Sequence, residues 1–136
     1  MSRPPFGPLL AAFCVPLACS SSQDALAKQS AGRIARAIEV VRDAPNAGKA
    51  TALAELAKLS CSGPDVCETR DACQAAYALH VEATTLTQAA KLKLNEGDSA
   101  AAAKLLGASE QKLAEASPKV EACTTRESAL RRRYKL

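Results

Sequence analysis

The 136-residue chain has no tryptophan, two phenylalanines, two tyrosines and one methionine, so aromatic residues make up only 3% of it. That excludes a core organised around large rings. Apolar residues still reach 48%, and alanine supplies most of them. At about 25 cal/mol per Å² of buried apolar surface, alanine with scattered Leu, Ile and Val stabilises a core modestly. Alanine has the highest helix propensity and lets helix backbones approach closely. Nowhere is there a run of about 20 apolar residues, the length a membrane-spanning helix needs. Sustained alternation and β-branched runs are also missing, so strands are not expected. There is one histidine, His80, and no triad partner for it is arguable from the sequence. No C-x-x-C pair occurs, which removes the usual redox motif. The formal charge is +4, with both signs interleaved up to the C-terminus, so no extended nucleic-acid surface is evident.

The N-terminus carries the clearest pattern. Arg3 supplies a positive start, an apolar run extends from Phe6 to Ala18, and Cys19 is followed by Ser20, Ser21 and Ser22. Pro4, Pro5, Pro8 and Pro16 oppose regular structure in this stretch. A short apolar run ending in small residues reads as an export signal covering residues 1–18. Leu17-Ala18-Cys19 resembles the lipobox of bacterial lipoproteins, with Pro16 standing where the pattern prefers Leu. The resemblance implies cleavage after Ala18, diacylglycerol on the Cys19 sulfur and acylation of the new amino terminus. More than one acyl chain holds a protein stably at a membrane. Ala25-Leu26-Ala27 offers the rival reading, ordinary signal-peptidase cleavage releasing a soluble periplasmic or secreted chain from Lys28.

Residues 19–136 then form one small domain, with 19–24 as a short polar tether. Ala27, Ala31, Ile34, Ala37, Ile38 and Val41 recur at three- and four-residue spacing, one face of a helix over 23–42. Ser22 or Asp24 is the expected cap, and Pro45, Asn46 and Gly48 the expected stop. A second helix is expected over 49–60. Asp65 and Glu68 have the spacing of a capping box for a third helix running to Leu94, with Ala72, Ala76, Leu79, Ala83, Leu86 and Ala90 inward. Gly97 and Asp98 supply a stop and a cap. A fourth helix from about Ala100 places Ala102, Leu106, Leu113, Ala116, Val120, Cys123, Leu130 and Tyr134 on one face, and Ser117-Pro118 is read as a kink or a break. Short connections make neighbours antiparallel. The expected fold is therefore all-α, a small antiparallel bundle of about four helices. The turn at Asn95–Asp98 resembles that of tetratricopeptide repeats, but no second copy at a period of about 34 residues exists. A plain helical hairpin is read instead.

Cys61, Cys67, Cys73 and Cys123 survive either cleavage, and an even number in an exported chain favours disulfides. Cys67 and Cys73, six apart on one helix, point to different sides. Cys73 and Cys123 lie equally far from the turn at Gly97, so they are level across an antiparallel pair. That leaves Cys61 to pair with Cys67. A four-thiolate zinc site is disfavoured because C-x₅-C-x₅-C lacks the usual short spacing. No metal and no cofactor are expected.

Arg126, Arg131, Arg132, Arg133 and Lys135 form the strongest charge cluster. It reads either as cations at a helix C-terminus or as a binding site for anionic glycolipid or envelope polymer. Asp65, Glu68 and Asp71 read as first-turn dipole partners rather than a catalytic set. The termini Cys19-Ser20-Ser21 and Tyr134-Lys135 are similar to those of the small murein lipoprotein, but Leu136 replaces its terminal lysine and no sustained heptad repeat is seen. The expected protein is non-enzymatic. It is held by its N-terminal lipid at a bacterial envelope membrane, facing periplasm or surface; with Ser20 after the modified cysteine, the lipoprotein resemblance implies the outer membrane. Its expected partner is another envelope protein, met through an alanine-lined groove, and not nucleic acid.

Overall fold

The computed structural model describes residues 19–136, with side chains from Ser21 onward. The expected export signal at 1–18 and the Cys19 side chain lie outside what is described. Four helices follow in order: α1 (Cys19–Asp43), α2 (Asn46–Lys58), α3 (Pro64–Asn95) and α4 (Ser99–Tyr134). Among the described residues there is no strand. The fold is an all-α, disulfide-stapled helical bundle.

The frame is the α3–α4 hairpin. α3 ends in a Schellman turn: Gly97, at φ 81°, donates to the Leu94 carbonyl and Asp98 to that of Lys93. Such a φ is free for glycine and strained for other residues. Asp98 then caps α4, its carboxylate accepting from the Ala101 N–H at 2.9 Å. Down the hairpin, one buried row runs through Thr69, Ala76, Ala83 and Ala90 on α3 and another through Ala102, Ser109, Ala116 and Cys123 on α4. Each set repeats every seven residues. The sequence reading found no sustained heptad; here one exists, carried by small side chains instead of large apolar ones. Small seam residues let the two axes come close, since helix separation is set by the side chains between them. Ser109 thereby reaches the Ala83 carbonyl of the opposite helix at 2.9 Å, and its hydroxyl meets that of Thr87 at 3.0 Å.

α1 and α2 cover only the open half of this hairpin. α1 touches both α3 and α4, whereas α2 packs on α3 and α1 alone. The core lies there: Ile34, Ile38 and Val41 of α1 and Leu56 of α2 against Val66, Ala76, Tyr77, Leu130 and the Cys73–Cys123 bridge. Past the start of α2 the hairpin runs on as two helices.

Several expectations are corrected. α1 begins at Cys19, so residues 19–24 are helical rather than a tether, and Ser22 and Asp24 sit inside the helix. The connection to α2 is shorter than expected. Pro45 is itself the N-cap of α2, and Asn46 and Gly48 belong to that helix. The Asp65–Glu68 capping box does not form. Pro64 occupies the first turn, Gly63 is the N-cap with no side-chain bond, and Glu68 turns outward to Arg126 at 3.2 Å. α4 is unbroken through Pro118. Ala114 and Pro118 both face solvent, so water can serve the carbonyl that loses its donor. Leu106 and Leu113 stand 41% and 43% exposed rather than inward, because the seam belongs to the small residues beside them.

Candidate functional site

The disulfides join the pairs that helix geometry selects. Cys73–Cys123 bridges α3 to α4 with Cα atoms 4.8 Å apart, and Cys61–Cys67 closes the α2–α3 connection with Cα atoms 5.2 Å apart. With all four thiols bonded, none is a nucleophile. The α2–α3 connection is held a second way, since buried Ser30 of α1 accepts from the Ser62 N–H at 3.0 Å.

The five basic residues near the C-terminus do not form one free cluster. Arg126 pairs with Glu68, and Arg133 with Asp65 at 3.2 Å. Arg131 reaches Glu127 at 2.9 Å and Glu39 at 3.4 Å. Arg132 and Lys135 are exposed and have no ion-pair partner among the described residues. Tyr134 folds back to donate its hydroxyl to Asp65 at 3.2 Å. Burial, followed by the negative charge of Asp65, pushes the Tyr134 phenol above its ordinary value of 10.0. These contacts bring the end of α4 against the start of α3. Asp24 and Ala27 of α1 line the same shallow hollow as Gly63, Arg133 and Tyr134. The start of α1, the start of α3 and the end of α4 therefore share one end of the molecule.

A buried charge cluster, which the sequence reading missed, lies deeper. Glu127 is only 3% exposed. Its carboxylate receives Arg42 from the end of α1 and Arg131 from the next turn of α4. Arg42 also donates from Nε to the Tyr77 hydroxyl at 3.4 Å. The Tyr77 bond, then the Glu127 carboxylate, hold the Arg42 guanidinium above its ordinary value against the opposing effect of burial. Lys49 of α2 stands 5.7 Å from the Tyr77 ring centre and donates to the carbonyls of Val41 and Arg42. Arg42 of α1, Lys49 of α2, Tyr77 of α3 and Glu127 and Arg131 of α4 meet here, so the cluster is a tie between four helices. A signal for it was present: Glu127 falls four residues after Cys123 on the inward face of α4.

His80 is half-buried, its ring 6.2 Å from that of Tyr77. It lines a groove on the hairpin with Thr84, Thr87, Lys91 and Leu113, at the start of α2. No carboxylate or thiol lines that groove. No group of three or more His, Cys, Asp or Glu among the described residues is placed to hold a metal ion. A larger apolar hollow of about 960 Å³ lies between α1 and α2, lined by Val40, Ala44, Pro45, Gly48 and Ala52 among others. Val40 is 60% exposed there. This is the nearest feature to the expected alanine-lined groove. No described helix is long and apolar enough to cross a membrane. Comparisons with protein-family models, curated proteins and solved structures find no match.

Proposed function

We propose that the chain is a non-enzymatic module of the bacterial envelope, lipid-anchored at Cys19, that holds a helical hairpin away from the membrane for contact with other proteins. The observation that carries this reading is the two-ended layout. The start of α1, where the acyl chains would attach, lies at the same end as the last turn of α4: Asp24 and Lys28 line one hollow with Arg133, Tyr134 and Lys135, and Arg132 is the neighbour of Arg133. A lipid chain together with nearby cations is a stronger attachment than either alone, because anionic headgroups attract Lys and Arg. α3 has 32 residues, about 48 Å at 1.5 Å per residue, so the turn at Gly97 stands well clear of that end. Two disulfides suit an oxidising compartment, and the tied Glu127 cluster reads as structural rather than catalytic.

Intact-mass analysis of the protein from bacterial membranes is the test. Loss of 1–18 with added acyl mass on Cys19 supports the reading. An unmodified chain starting at Lys28 turns it into a soluble exported protein, and a retained Met1 with free thiols sinks it. The alternative, a binding module for anionic glycolipid or polymer, rests on Arg132 and Lys135 rather than on all five cations. Charge reversal at those two positions that leaves vesicle binding unchanged removes it.

A further inference from the structure

The two bridges sit in opposite surroundings. Cys73 and Cys123 are both 0% exposed and belong to the same buried cluster as Ile34, Ile38, Val66 and Leu130. Cys61 and Cys67 both keep part of their surface in solvent. Between them, Ser62, Gly63 and Pro64 line a hollow of about 510 Å³ together with Leu26 of α1, itself 56% exposed. Exchange of a disulfide requires a thiolate to reach one of its sulfurs. The folded chain therefore offers the short bridge and withholds the long one.

The connection closed by the short bridge is also held without it. Three hydrogen bonds flank Cys61. Arg70 donates to the Leu59 carbonyl at 2.8 Å, the Ser30 hydroxyl to the Ser60 carbonyl at 3.4 Å, and the Ser62 N–H to the Ser30 hydroxyl at 3.0 Å. Ser30 is 1% exposed. On the other side, Cys67 is fixed as part of α3, its N–H donating to the Gly63 carbonyl at 3.1 Å. None of these contacts uses a sulfur. Parting the two sulfurs leaves both backbones in place, and the thiols remain neighbours.

We infer that Cys61–Cys67 is a reversible site of thiol–disulfide exchange, open to dithiols, on a frame that Cys73–Cys123 keeps fastened. One thiolate of the dithiol attacks a sulfur of the short bridge. A mixed disulfide forms, and the Cys61–Cys67 bond breaks with its electron pair leaving on the other cysteine. The second thiol of the reagent then displaces the first sulfur. The bridge gains two electrons, the dithiol is oxidised to its own disulfide, and its two protons end on Cys61 and Cys67. This chemistry goes beyond the protein-contact reading above, and it needs neither the lipid nor the membrane.

Graded reduction by dithiothreitol tests it, on the purified chain with both bridges formed and no denaturant, followed by alkylation and peptide mass mapping. Cys61 and Cys67 are expected to become alkylated together at least about 100-fold faster than Cys73 and Cys123, whose access to reagent waits on opening of the bundle. Far-UV circular dichroism stays as it was while the first pair opens, and oxidised glutathione restores the bridge. Ser30→Ala removes two of the three flanking bonds and is expected to slow that restoration about fivefold. Both bridges opening together, Cys73–Cys123 opening first, or helix content falling with the first pair overturns the inference. So does a reduced pair that ends as two glutathione adducts instead of the bridge. A Ser30→Ala protein that closes as fast as the parent overturns the role given to the hydrogen bonds. None of these results touches the processing of Cys19, which intact mass reads separately.

Discussion

Glu127 shows what one charge does inside a bundle with few large apolar residues. It is 3% exposed and accepts from arginines on two helices. Removing it leaves Arg42 and Arg131 facing a gap, and charged hydrogen bonds of this kind contribute about 1.5–3 kcal/mol. Glu127→Ala is expected to lower unfolding free energy by about 2 kcal/mol in urea titration, below the roughly 3–5 kcal/mol of a fully buried pair because both arginines keep part of their surface in water. Glu127→Gln keeps the shape and should cost less than Glu127→Ala. At the other end of the molecule, Tyr134 predicts a pH effect. Its phenol is raised above 10.0 in the folded state, so folding binds that proton more tightly. The resulting stabilisation is complete below pH 10 and is lost as pH rises through the folded value. The tyrosinate absorbance step that Tyr134→Phe abolishes should have its midpoint above pH 10. Neither side chain's role was plain in the sequence. The helical period gives a residue's face, but Arg42 and Glu127 are partners through tertiary packing across 85 positions. Asp65 likewise has the spacing of a capping box, yet its carboxylate goes to Tyr134 and Arg133.

Elements were more legible than residues. All four helices, their order and the turn at Gly97–Asp98 follow from apolar period and turn chemistry. The boundaries moved where proline was misjudged. Pro45 and Pro64 start helices, in accord with a fixed φ and no need of an N–H in the first turn, and Pro118 is absorbed on a solvent-facing side. The hairpin seam was legible in its alanines: the helical period puts Ala76, Ala83, Ala90, Ala102 and Ala116 inward, and they are buried. The same stripe also took in Leu106 and Leu113, which are exposed, and passed over Ser109, which is buried. That difference can be measured. Ala83 is 2% exposed against the opposite helix, and Ala83→Leu forces three extra carbon atoms into a close seam. The expected cost is about 1–3 kcal/mol, seen as a lower melting temperature. Leu113→Ala, at a half-exposed position, should cost well under the 2–5 kcal/mol of a core leucine.

For the molecule as a whole, the two bridges carry unequal weight. In the chain-entropy model a loop of 50 residues contributes about 4 kcal/mol and a loop of 6 about 2 kcal/mol. Replacing Cys73 and Cys123 together by serine should therefore lower stability more than replacing Cys61 and Cys67, with the difference read from denaturant midpoints at equal m-value. The disulfide-stapled helical class was legible because cysteine count, equal distance from the turn and helix period agreed. Which half of the hairpin stays uncovered was not, since that depends on α1 and α2 being shorter than the frame they pack against. The position of the long bridge has a further consequence. Glu96, Gly97 and Asp98 are exposed at the far end, while Cys73–Cys123 ties the two arms nearer the base. A peptidase that nicks the chain at that tip would release nothing: the severed halves would migrate as one species until a reducing agent is added, and only then part.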